Sequence, residues 1–221
     1  NGTVTLTTDY TVRLRTMSNV QANAITPNKT YTGQPLETVR ASGMPTGTTI
    51  TFSWEEGGQT KTESYTATAN QAYYDGAKIT AAGNYTVTVT FALEGYGTET
   101  RTVPVTVNKA TVELPEIATA SMRYYQGYTY TGVQVDADSS QYNYSGTYQA
   151  IDAGTYTVTL TLEDADNYRW GTAPSAAANR VTINAGTAEI RWMISKAPVV
   201  TPTLYPEHDY TYQKDVVRAP V

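Results

Sequence analysis

The chain has 221 residues, with 15 Lys and Arg against 20 Asp and Glu, one His and no Cys. A net charge of −5 leaves no basic footprint for a phosphate backbone, so nucleic acid is excluded as a partner. Without Cys there is no disulfide frame and no thiolate metal site, and no apolar run approaches the ~20 residues needed to cross a bilayer, so this segment inserts into no membrane.

The 19 Tyr stand against 2 Phe; Tyr offers an apolar ring with a hydroxyl that tolerates water, which suits half-buried strands. Thr alternates with Val, Leu and Tyr along much of the chain, and β-branched and aromatic residues favour pleated surfaces over helices. Period-two alternation predicts strands, in chain order, at Thr3-Val4-Thr5-Leu6, Thr49 to Trp54, Tyr85 to Phe91, Arg101 to Val107, Tyr156 to Leu162, Arg180 to Ile183 and Glu189 to Ile194. Turn signals stand between them at Glu56-Gly57-Gly58, Asp75-Gly76 and Asp164-Ala165-Asp166-Asn167. Only Ala173 to Ala178 hints at helix. The fold class that follows is all-β.

Three short signatures recur in the same order, which predicts tandem modules. Tyr31-Thr32-Gly33-Gln34-Pro35-Leu36 is matched by Tyr130-Thr131-Gly132-Val133-Gln134-Val135 and loosely by Tyr212 to Val217. Ala82-Gly83-Asn84-Tyr85-Thr86-Val87 is matched by Ala153-Gly154-Thr155-Tyr156-Thr157-Val158 and partly by Asp9-Tyr10-Thr11-Val12. Val107-Asn108-Lys109-Ala110 is matched by Ile194-Ser195-Lys196-Ala197. The expected organisation is a first repeat at residues 25–110 and a second at 111–199. Residues 1–24 are either the end of a preceding module or extra strands of the first. Residues 200–221, with Pro202 and Pro206, read as a linker and the start of a following module.

Asp152-Ala153-Gly154-Thr155-Tyr156 has the form in which an immunoglobulin-type sandwich enters one of its central strands, the Tyr hydroxyl bonding back to an upstream main-chain group. Asp152, Gly154 and Tyr156 are therefore structural-corner residues, and Tyr85 takes the same place in the first repeat, where Ala81 stands in for the Asp. Trp54 is the candidate buried aromatic of the first repeat, and Tyr142 or Tyr144 that of the second. The module predicted is an antiparallel, Ig-like β-sandwich, with a β-grasp-like topology as the alternative.

On Tyr130 to Gly132, Asp152 to Val158, Asp166-Asn167-Tyr168-Arg169-Trp170 and Trp192 to Ala197, the chain resembles bacterial Ig-like surface repeats of the MBG type. These features cover most of residues 111–199; residues 25–110 match less closely. The resemblance implies tandem arrays on bacterial surfaces, extracellular and attached to cell or wall, with spacing or adhesive roles and no catalytic site. It allows Lys-Asn isopeptide cross-links at Lys29, Lys78, Lys109 or Lys196, although Lys109 and Lys196 read as solvated lysines at module ends.

Chemistry-bearing residues are sparse. His208 lies among Tyr205, Pro206, Glu207 and Asp209 and has no nucleophile beside it in sequence, which places it in a linker rather than an active site. Glu55, Glu56, Glu63, Glu94, Asp152 and Glu163 are the acids from which a glycosidase pair would be drawn, and read instead as solvated turn residues. Asp164, Asp166 and Asn167 gather oxygens of the kind calcium takes, but read as an Asx-type turn. No metal and no cofactor is expected. Among the tyrosines crowding the second repeat, Tyr124, Tyr125 and Tyr128 are the candidate ligand-contact aromatics. The function predicted is a non-catalytic extracellular stalk, spacer or adhesive segment whose partner is a host or bacterial surface protein or glycan. The alternative is a carbohydrate-binding accessory module of a larger secreted enzyme.

Overall fold

The computed structural model describes residues 3, 11, 13–26, 28–118 and 124–199. Val4 to Leu6, the Asp9-Tyr10 signature and everything from residue 200 on, His208 included, lie outside the described residues.

Two hydrophobic cores follow one another along the chain. The first is enclosed by β1 (Gln21–Ala24), β2 (Asn28–Thr30), β3 (Leu36–Ser42), β4 (Thr49–Glu56), β5 (Gln59–Thr66), β6 (Tyr73–Ile79), β7 (Gly83–Ala92) and β8 (Glu99–Asn108). They form a sheet β1-β3-β6 and a sheet β2-β8-β7-β4-β5, antiparallel throughout except where β2 runs parallel to β8. Alternation dictates which faces meet: Ile50, Phe52 and Trp54 of β4, Val87, Val89 and Phe91 of β7, and Val103, Val105 and Val107 of β8 all point inward. Burying one such side chain contributes about 1.5–3 kcal/mol, so these three strands alone account for most of the drive to form the sandwich. Pro104 has no N–H to give, and β2 begins pairing with β8 only at Thr106, beyond it. Met17 and Val20 also lie in this core.

The second core is enclosed by β9 (Ala110–Val112), β10 (Tyr130–Thr131), β11 (Tyr142–Gly146), β12 (Gln149–Ala150), β13 (Gly154–Leu162), β14 (Tyr168–Trp170), β15 (Val181–Ile183) and β16 (Thr187–Ile194). Its main sheet has the order β11-β13-β16-β15, faced by the short pair β10-β12, with β9 parallel to β14 at one end. Val158, Leu160 and Leu162 of β13 and Ala188, Ile190, Trp192 and Ile194 of β16 alternate inward. The apolar hint at Ala173 to Ala178 becomes a 3-10 helix, Ser175–Arg180. Among the described residues no longer helix is present to cross a sheet as a β-grasp module requires, so the sandwich stands.

Two sequence expectations need correction. Asp75-Gly76 is not a turn but the middle of β6: Asp75 takes a two-point ion pair from Arg40 on β3 at 2.7 and 2.8 Å, and Gly76 is small because a Cβ there would stand 2.6 Å from the Phe52 ring. Tyr142 is buried in the second core as expected and Tyr144 half-buried against it; two indoles join them, Trp170 against Tyr142 at 5.5 Å and Trp192 on β16, whose Nε1 donates to Thr147 O at 2.6 Å. Finally, the repeated Tyr-Thr-Gly is out of phase. Tyr31 N–H donates to Asn108 O at 2.8 Å and Tyr125 N–H to Ser195 O at 2.9 Å, while Leu36 pairs with Ile79 as Tyr130 pairs with Ala150. The partner of Tyr31 is thus Tyr125, and that of Leu36 is Tyr130. The two glycines of the motif serve different ends: Gly33 takes a positive φ of 77° in a turn, whereas Gly132 leaves room for Trp192, whose ring would lie 2.0 Å from a Cβ.

Candidate functional site: the joint between the two cores

The site is built on the turn between β6 and β7. The Tyr85 hydroxyl donates to Ala81 O at 2.8 Å, and its ring lies over Gly83, where a Cβ would meet it at 3.2–3.3 Å. Glu56, at the end of β4, fastens the same turn: its Oε1 accepts from Thr80 N–H at 2.7 Å and Ala81 N–H at 2.8 Å, and its Oε2 from Trp54 Nε1 at 3.3 Å. Burial raises the Tyr85 pKa, and the Glu56 carboxylate adds to the rise. The next amide, Ala82 N–H, is left pointing outward.

It is met from the second core. In the turn Asp164-Ala165-Asp166-Asn167, Asp164 Oδ1 accepts from Asn167 N–H at 3.1 Å and Oδ2 from Asn167 Nδ2 at 2.8 Å. That Asx arrangement aims the Asn167 carboxamide oxygen at Ala82, whose N–H donates to it at 2.7 Å. Beside it Lys109 Nζ donates to Ala165 O at 2.5 Å, and the Tyr31 ring meets that of Tyr168 edge-on at 5.3 Å. Lys109 is therefore exposed yet engaged, not the free linker lysine expected from sequence. Only Lys109 separates β8 from β9, and Ala110 N–H already donates to Asn167 O at 2.9 Å. Each contact is modest, about 0.5–1.5 kcal/mol for a net hydrogen bond or an edge-on ring pair; together they act on one short connection.

The corresponding face of the second core is open. Tyr156 donates to Asp152 O at 2.8 Å, as Tyr85 does to Ala81 O, and Gly154 underlies its ring, where a Cβ would lie 3.2 Å from the hydroxyl. Among the described residues no group accepts from the following Ala153 N–H. Ala153, Thr155, Met193, Ser195 and Lys196 border a hollow of about 300 Å³, and Tyr124, Tyr125 and Met193 are 46%, 44% and 44% exposed.

The remaining candidate residues do not converge. Tyr128 is exposed, its hydroxyl on Gln126, and its ring lies 4.8 Å from the buried Tyr130 at an interplanar angle of 39°. Glu55 takes the Thr60 hydroxyl, Glu63 pairs with Lys78 at 3.4 Å and Glu163 takes the Asn143 amide. Among the described residues no three His, Cys, Asp or Glu gather as metal ligands, and no helix is long and apolar enough to cross a membrane. The sequence shows Asp164 and Asn167 as members of one Asx-type turn and Glu56 as a solvated acid, but carries no local signal of the Ala82 N–H that the turn meets 85 residues away.

No family model matches the chain, and no curated protein matches it. Among solved structures, the FN1–FN3 domains of chicken CNTN1 are similar at 8% identity and a TM-score of 0.24, over 80% of this chain and 64% of that one.

Proposed function

We propose that this chain is a non-catalytic spacer segment of an extracellular repeat protein, in which β-sandwich modules are held in series by a hydrogen-bonded joint. The observation that carries this reading is the joint itself: Asn167 on Ala82 N–H, Lys109 on Ala165 O, and Tyr168 against Tyr31, around a single intervening residue. A spacer must transmit position from one end to the other, and directional bonds on a short connection limit swivelling where a flexible linker would not. In this reading the first module takes in Arg15, Met17 and Val20, since Arg15 N–H donates to Gly95 O at 3.0 Å just as Ala110 N–H does to Asn167 O. Residues 15–24 then belong to the first module, through the Arg15 bridge to Tyr96 and the strand β1, rather than to the tail of another.

Small-angle scattering tests the proposal. An extended particle, unchanged in maximum dimension by added glycans or peptides, supports it; a particle whose maximum dimension fits a single sphere of 24.0 kDa overturns it. The adhesive and carbohydrate-binding reading has one observation in its favour, the exposure of Tyr124, Tyr125 and Tyr128. Glycan-array binding lost on Tyr128→Ala would put that reading ahead.

A further inference from the structure

We propose that the face of the second core formed by Tyr125, the Ala153 N–H and Lys196 is a docking site for a further module of the same kind, which presents to it an Asp-x-x-Asn-Tyr turn like that of Asp164–Tyr168. The inference rests on the serial-module reading above and names the partner and the contacts.

The argument is an internal precedent. Position by position, the equivalences come from backbone pairing rather than sequence likeness. Tyr31 and Tyr125 donate to Asn108 O and Ser195 O. Ala82 and Ala153 each follow the carbonyl that accepts the corner tyrosine. Gly83 pairs with Val107 and Gly154 with Ile194, so Lys109 and Lys196 stand two residues past equivalent points. In the first core this set of ring, amide and ammonium is occupied by the Asp164–Tyr168 turn. In the second the same set is present and faces outward: Tyr125 is 44% exposed, and Ala153 N–H has no acceptor among the described residues.

An outward amide beside exposed Tyr125 and Met193 makes a mixed apolar and polar patch of the kind that marks a protein contact rather than a solvated surface. The chemistry it asks for is a carboxamide or carboxylate oxygen for the amide, a carbonyl for Lys196 and a ring for Tyr125, which the Asp-x-x-Asn-Tyr turn supplies from its Asn side chain, its second residue and its Tyr. A second copy of this chain does not meet the need, because its own turn is already engaged at its own joint. Nor does the equivalent turn of the first core, Leu93-Glu94-Gly95-Tyr96: it has no Asn, and Arg15 lies 5.6 Å from the Tyr96 ring centroid and 3.4 Å from its hydroxyl. The face therefore selects modules of the second type.

Hydrogen-exchange NMR on two chains tests this. In the full chain, Ala82 should exchange slowly and Ala153 fast, and Asn167→Ala should speed Ala82 by about tenfold while the amides of β7 and β13 keep their protection. In a lengthened chain, where residues 110–199 are repeated directly after Lys196, Ala153 should slow by about tenfold, and Asn167→Ala in the added copy alone should reverse it. An Ala153 rate that stays fast while the added copy shows protected β13 amides overturns the proposal. So does an Ala82 rate indifferent to Asn167→Ala, a result that needs no lengthened chain. A persistently fast Ala153 with an extended scattering particle removes only the docking site; an Ala82 rate indifferent to Asn167→Ala removes the hydrogen-bonded joint on which both readings stand, and a compact particle removes the spacer reading, whatever Ala153 does.

Discussion

The two cores are built on one plan but filled differently. In the first, the sheet β1-β3-β6 is long and supplies Val39, Ala41, Tyr74 and Ile79 to the core; Thr38 and Val105 occupy positions that in the second core hold Gly132 and Trp192. In the second, the facing sheet shrinks to the two-residue pair β10-β12, and a single indole spans the gap, lying against Gly132 on one side and the Tyr156 ring at 4.8 Å on another. Close packing is conserved in total volume, not residue by residue: where strand length is lost, a large ring opposite a glycine replaces it. The corners differ too. That of the first core is tied by Glu56 and by Asn167, that of the second by neither.

The sharpest way to break this comparison is Trp192→Ala. Removing the indole should destabilise the second core by about 3–5 kcal/mol, melting it before the first in a denaturation followed by resolved amide signals; a single unshifted transition would show that the indole does not carry that core. Gly132→Ala places a Cβ 2.0 Å from Trp192 and should cost about 1–3 kcal/mol. Importing the first core's pair as Gly132→Thr with Trp192→Val should recover part of the loss, read as a favourable coupling in a double-mutant cycle.

In the first core, Thr38 is buried and its hydroxyl donates to Ala77 O at 2.8 Å, at a residue held at φ 56° inside β6. Thr38→Val leaves that carbonyl without its donor and should cost about 1–3 kcal/mol by chemical denaturation. The two corners should respond alike to loss of the hydroxyl, Tyr85→Phe and Tyr156→Phe each costing about 0.5–1.5 kcal/mol. The Tyr85 pKa is raised in the folded chain, so its contribution is complete below the unfolded value of about 10 and fades as pH climbs through the folded one. Tyr85→Phe should flatten that alkaline limb of the stability curve; a limb left intact would assign it to other groups. Smallest of all, Lys78→Ala removes the pair of the exposed Lys78 with the half-buried Glu63 at 3.4 Å and should change the melting point by the equivalent of about 0–1 kcal/mol.

The strands β4, β7, β8, β13, β15 and β16 were legible from alternation because period two is a local property: Ile50, Phe52 and Trp54, or Val158, Leu160 and Leu162, announce their side of the sheet without knowledge of what lies across from them, whereas β3, β5 and β6 carry no such clean pattern and were not. The Gly-x-Tyr geometry was legible for the same reason, since its bond spans only four residues. What the tertiary structure alone decided was pairing at a distance. Whether a glycine serves a turn, as Gly33 does, or a neighbour's ring, as Gly132 does, depends on a partner sixty residues away. That Tyr31 answers to Tyr125 and not to Tyr130 depends on which carbonyl of β8 or β16 receives its amide. And Asn167, an unremarkable loop residue in sequence, becomes the hinge pin of the joint only because folding of both cores brings the Ala82 N–H within 2.7 Å of it; composition and spacing encode which groups can bond, while register and chain connection determine which of them meet.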